Sequence, residues 1–148
     1  MKIYLKKLPM LITNNPKLAQ DSSDLSPPIL LYPQKSYLDI LTMARDYIHK
    51  NHPLHTHPLS GSIKPNETPY KSILLGPPKN ALDIPSLNMI EESIATYQKF
   101  ARMGLPDFSA YPQSILAQFM EVDHALISAK IKSGQRPLKP KEVLCKWN

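Results

Sequence analysis

The chain has 148 residues, 42% of them apolar, which is enough for one packed domain, and it carries a net charge of +6 with 16 prolines and only four glycines. Its single cysteine, Cys145, excludes an internal disulfide and a structural zinc site built on paired thiolates. Every apolar run is interrupted well short of the ~20 residues that span a bilayer, so no transmembrane segment is expected.

The charge is concentrated at the ends. Residues 1–20 hold Lys2, Lys6, Lys7 and Lys17 with no acid, a net +4. Residues 130–148 hold Lys130, Lys132, Arg136, Lys139, Lys141 and Lys146 against Glu142 alone, a net +5, which leaves −3 for the 109 residues between. Basic ends on a near-neutral body suit attraction to a polyanion. In the first segment Ile3, Leu5, Leu8, Leu11 and Ile12 interleave with lysine, a composition that overlaps with mitochondrial presequences. Pro9 and Pro16 interrupt any helix there, and arginine and serine are missing. Residues 21–35, DSSDLSPPILLYPQK, read as a polar turn and then an extended apolar segment, because the residue before a proline is pushed out of the helical region. Leu25, Ile29, Leu30, Leu31 and Tyr32 then need a surface to lie on.

The first predicted helix runs from about 37 to 50. Ser36 is its N-cap and Asp39 its N3 residue, while Tyr37, Ile40, Leu41, Ala44, Tyr47 and Ile48 recur at three- and four-residue steps. Residues 52–85 contain seven prolines and read as an irregular connection, longer than the ~15 residues usual for loops in compact domains. A second helix is predicted from Ser86, with Glu91 and Glu92 early, Lys99 and Arg102 late, and Gly104 as a left-handed C-cap. Its apolar stripe is Leu87, Ile90, Ile94, Tyr97 and Ala101, with Phe100 beside it. After a link containing Pro106, a third helix starts with Pro112 at N1, repeats Ile115, Phe119, Val122, Leu126 and Ala129, and ends at Gly134.

The fold expected from this pattern is mainly α. A small helical core, one helix at about 37–50 and an αα-hairpin at about 86–133, carries long proline-rich extended segments and basic termini. The chain then divides into a basic, extended arm at 1–35, a helical body at 36–133 interrupted by the connection at 52–85, and a basic tail at 134–148.

No catalytic constellation is visible. His49, His52, His55 and His57 lie within nine residues, and imidazoles ligate zinc, nickel or copper. No acid or cysteine inside the cluster completes a site, so a solvated histidine loop is the favoured reading over a metal centre. Glu121, Asp123 and His124 are read as a solvated helix face rather than a converging acid–base pair. Gly76-Pro77-Pro78-Lys79 lacks both the further glycine and the amides of a phosphate loop. Cys145 has no identifiable histidine partner. The chain is therefore expected to be no enzyme, to need no cofactor, and to take no small-molecule substrate.

Binding is the remaining class. Lys2, Lys6, Lys7, Lys130, Lys132, Arg136, Lys139, Lys141 and Lys146 are candidate contacts to an RNA backbone, with Trp147 placed to stack on a base. Ile94, Tyr97, Phe100, Ile115, Phe119 and Leu126 are candidate protein contacts. The expected function is a structural, accessory subunit of a large ribonucleoprotein such as the mitochondrial ribosome, with mitochondrial localisation. The alternatives are a protein-only adaptor of a membrane or nuclear complex, cytoplasmic or nuclear in location, and a metal protein built on the histidine cluster.

Overall fold

The computed structural model describes residues 9–20, 27–59 and 63–134, together with a strand at Val143–Cys145. In chain order the elements are β1 (Met10–Thr13), a one-turn helix α1 (Lys17–Gln20), β2 (Ile29–Leu31), α2 (Tyr37–Ile48), β3 (Ser72–Leu75), α3 (Ile84–Met103), a 3₁₀ turn (Phe108–Ala110), α4 (Gln113–Gly134) and β4 (Val143–Cys145). The strands form one sheet in the order β3-β1-β2-β4. β1 and β2 are parallel, as are β2 and β4, and β3 runs antiparallel to β1 with Thr13 opposite Ser72.

The sheet is covered on both faces. Met10, Ile12, Leu30, Ile73 and Leu75 point into a core shared with Tyr37, Ile40, Leu41, Ala44 and Ile48 of α2 and Ile90, Ile94 and Tyr97 of α3. Leu11, Ile29, Leu31 and Leu74 point the other way, onto Leu18 of α1 and Ile127 and Ile131 of α4. Successive strand side chains alternate between faces, so a strand buried on both sides shows an unbroken apolar run rather than an alternation. The protein is therefore a small α/β domain, and the expectation of a mainly α fold is corrected. Runs as short as MLIT, ILL and SILL carry no periodicity that separates strand from extended loop.

The predicted αα-hairpin is corrected as well. α3 packs in the first core and α4 in the second, so the two helices lie on opposite faces of the sheet. A proline-bearing link with two amphipathic helices suggests a hairpin only when the helices must cover each other. Here each covers the sheet.

Local signals hold up better. Ser36 Oγ accepts from the Asp39 amide at 3.1 Å and Asp39 Oδ2 accepts from the Ser36 amide at 3.0 Å, a complete capping box on α2. α3 begins two residues before Ser86, with Asp83 as its N-cap and Pro85 in the first turn, where a missing amide costs nothing. Ser86, buried, accepts from the Leu54 amide at 2.8 Å and donates to Asp83. Gly104 ends α3 with φ +144° and ψ +123°, a backbone region open to glycine and outside the left-handed helical well.

The proline-rich connection is built into the sheet. Beyond containing β3, it lays residues 53–56 along that strand: Leu54 bridges Leu75, His55 N donates to Leu74 O at 2.9 Å, Gly76 N to Pro53 O at 2.8 Å, and Leu74 N to Thr56 Oγ1 at 3.1 Å. These bonds cover the outer edge of β3, which would otherwise present unpaired backbone groups.

Candidate functional site

β1 ends in Thr13-Asn14-Asn15-Pro16, and the first three of these polar residues are buried. Each is held by bonds that reach across the fold. Asn14 Nδ2 donates to Lys35 O at 2.9 Å and Pro69 O at 2.8 Å, and its Oδ1 accepts from Lys71 N at 2.9 Å. Asn15 Nδ2 donates to Met120 O at 2.9 Å and to Asp123 Oδ2 at 3.0 Å, and its Oδ1 accepts from Lys17 N at 3.1 Å. Two asparagines thereby lock the ends of β1 and β3 to the loop after β2 and to the middle of α4.

A chain of hydroxyls runs beside them. The Asn15 amide donates to Thr13 Oγ1 at 2.9 Å, Thr13 Oγ1 and Ser72 Oγ are 2.7 Å apart, and Ser72 Oγ donates to Asp123 Oδ2 at 2.6 Å. Because Ser72 has spent its one proton on the carboxylate, Thr13 is the donor in the middle bond. The chain is polarised towards Asp123, which sits 8% exposed in a low-dielectric setting.

This network opens into a cavity of about 780 Å³. Buried Lys71, Ser72 and Asp123 line it, with Phe100, Leu126 and Ile127 as its apolar wall. Exposed His57, Lys64 and Lys130 complete it. Asp123, Ile127 and Lys130 lie at i, i+4 and i+7 on α4, so one face of that helix serves the cavity. Burial pulls the Lys71 ammonium down to about 8, and the negative charge of Asp123 opposes that fall. The cavity lies where the carboxyl end of β1 meets the amino end of the antiparallel β3, beside Thr13 and Ser72.

A second cavity of about 520 Å³ lies beyond Asn14, lined by Tyr37, Tyr70, Tyr97, Phe108 and Leu116 among others. Tyr37 stacks on Tyr97 with ring centroids 5.2 Å apart. Burial raises the Tyr37 hydroxyl well above its usual range, and the charges of Asp123 and Tyr97 add to that rise.

The four clustered histidines have separate tasks. His52 is buried edge-on against Tyr47, with Nδ1 2.9 Å from Gly76 O. The His55 ring lies over Gly76, close enough that any Cβ there would run into it, and burial followed by the charge of Lys79 lowers its pKa. His57 lines the cavity and accepts from Leu59 N through Nδ1 at 3.0 Å. His49 is exposed at the end of α2. Among the described residues no three metal-ligating side chains converge.

Of the other residues singled out by sequence, Ile94 and Tyr97 are core residues, and Phe100 lines the cavity. Phe119 packs on Phe108 and Tyr111 at centroid distances of 6.3 and 6.2 Å. Ile115 and Leu126 stay partly exposed at 37% and 40%. Lys130 borders the cavity, and Lys132 is exposed in the last turn of α4. Lys2, Lys6, Lys7, Arg136, Lys139, Lys141, Lys146 and Trp147 lie outside the described residues. Sequence reasoning missed Thr13, Asn14, Asn15, Lys71 and Ser72, and it placed Asp123 on a solvated face. The available signal was an acid at 123 in register with Ile127 and Ile131, the apolar pair that α4 buries.

These features define a small α/β protein with a cavity of cationic and apolar lining where β1 ends and β3 begins. The chain belongs to the GrdX-like protein family, which matches residues 10–132. No curated protein and no solved structure is significantly similar to it. The family is bacterial and associated with glycine reductase, so the expected mitochondrial localisation and the ribonucleoprotein, RNA-binding role are corrected. Basic ends draw a chain towards any anion, and they do not single out RNA. Among the described residues no helix is long and apolar enough to cross a membrane.

Proposed function

We propose that the protein is a non-catalytic accessory protein that binds a small, carboxylate-bearing solute in the cavity between β3 and α4. The observation that carries this reading is the charge balance of the cavity. Lys71, Lys64 and Lys130 surround a single carboxylate, Asp123, whose Oδ2 already accepts from Asn15 and Ser72. An anion entering there meets cations beside an apolar wall, at a volume within the roughly 300–1,000 Å³ of ordinary small-molecule sites. The one hydroxyl hydrogen-bonded to the carboxylate, that of Ser72, is 3% exposed and fixed between Thr13 and Asp123, an arrangement that supports a binding role over nucleophilic catalysis.

The test is a thermal-shift panel of small anions and matched neutral amides. Acetate, lactate and succinate are expected to raise the unfolding temperature in a saturable way, and the amides are not. Equal shifts for anions and amides would remove the basis for the reading.

A second reading, docking to a protein partner, has its own observation. Met103, Leu105 and Ile115 are exposed at 74%, 54% and 37%, around the link between α3 and α4. Replacing Met103 and Ile115 together with glutamate would then abolish co-purification with a partner and leave the thermal-shift response to carboxylates unchanged.

A further inference from the structure

We propose that Lys71 captures a carbonyl group covalently, so that the cavity takes oxo acids, carboxylates with a ketone or aldehyde beside them, as imines. This inference rests on the carboxylate-binding reading above and names the ligand class within it.

Three features of the site converge on this chemistry. First, Lys71 is the buried lysine of the cavity, 5% exposed, whereas Lys64 and Lys130 are solvated on the outside. Second, its backbone is fixed. Lys71 N donates to Asn14 Oδ1 at 2.9 Å and Asn14 N donates to Lys71 O at 3.4 Å, and the next residue begins β3. A nucleophile on a rigid element meets a bound electrophile without paying for loop ordering. Third, the remaining groups suit the rest of such a ligand. Lys64 and Lys130 are cations for its carboxylate, and Phe100 and Ile127 form an apolar wall for its carbon chain. Burial also pulls the Lys71 amine down to a pKa of about 8, so that more of it is neutral near physiological pH than of a solvated lysine.

The step balances without any co-reactant. The neutral Nζ gives its lone pair to the carbonyl carbon, the C–N bond forms as the C=O π bond breaks onto oxygen, and the proton released by the nitrogen balances the one the oxygen takes up, giving a carbinolamine. The C–O bond then breaks, the oxygen leaving as water with the second proton given up by the nitrogen, and the nitrogen lone pair closes the C=N bond of the imine, with nothing oxidised or reduced. Asp123, the carboxylate whose charge acts on Lys71, offsets the positive charge of the protonated imine.

The experiment uses the full chain with pyruvate as the carbonyl probe, lactate as the same acid without a carbonyl, and sodium cyanoborohydride to fix any imine as a secondary amine. Peptide mass mapping is expected to find the pyruvate-derived group on Lys71 at least about tenfold above any other lysine, with trapping that saturates in pyruvate and rises with pH through about 8. Lactate should compete. Lys71→Arg, which keeps the charge, should abolish trapping at position 71 in a chain that still unfolds cooperatively. Trapping spread evenly over the lysines, or absent from Lys71 while lactate binds, overturns the covalent inference and leaves the carboxylate reading standing. Failure of both pyruvate and lactate to bind overturns both.

Discussion

Asp123 and Lys71 are two charges taken almost out of water, and each is tolerable only because of what surrounds it. Asp123 is held by Asn15 and Ser72, so Asp123→Ala leaves two buried donors without an acceptor and Lys71 without its neighbouring carboxylate. The expected loss is about 3 kcal/mol, read as a lower urea midpoint at unchanged slope. Lys71 acts in the opposite sense. Its folded pKa, about 8, lies below the ordinary lysine value of 10.5, so between those pH values the unfolded chain binds more protons than the folded one. Stability from this residue is therefore lowest below pH 8 and rises as pH climbs, by at most about 1.4 kcal/mol per pH unit. Tyrosines limit the window. Burial and Tyr47 push Tyr32 up to about 12, so above pH 10 the unfolded chain loses phenol protons that the folded one keeps, and stability falls. Thermal unfolding should show a rise from pH 8 to 10 followed by a decline, and Lys71→Met should remove the rise while keeping the decline. The His55 ring beside Gly76 gives a third check at this scale. Gly76→Ala drives a Cβ into the His55 ring and should cost about 1–3 kcal/mol, most of it recovered when His55→Ala is added.

At the scale of the element, the helix signals were the readable ones. Ser36 with Asp39 marks the start of α2, and Gly104 marks the end of α3, because caps are local chemistry written in neighbouring residues. The strands were not readable. MLIT and ILL look the same as extended loop until a partner strand is placed beside them, and their pairing joins segments as distant as Thr13 and Ser72. The site failed to show for the same reason. Asn14, Lys71 and Asp123 become neighbours through β1–β3 pairing and the docking of α4, and none of them forms a motif with its sequence neighbours. The face of α4 was also misjudged. The apolar series Ile115, Val122 and Leu126 looked like the buried stripe, but Asp123, Ile127 and Ile131 are the residues that α4 buries. The choice between faces is measurable. Ile127→Ala should destabilise by about 2–4 kcal/mol and Leu126→Ala by less than about 1 kcal/mol, in the same urea titration. Similar losses for the two would contradict the placement of α4.

For the whole molecule, the architecture explains how so small a sheet supports a polar interior. Two apolar cores, one on each face, fix the strands, and residues 53–56 seal the outer edge of β3. What the fold leaves unfilled is the cationic cavity at the end of β1 and β3. The most direct test of its role is calorimetric titration of lactate into the wild-type chain and into Lys71→Met at the same salt concentration. A saturable one-to-one isotherm for the wild type, weakened at least about tenfold in a folded Lys71→Met variant, is the predicted result. Absence of binding, or equal binding in both chains, would contradict it.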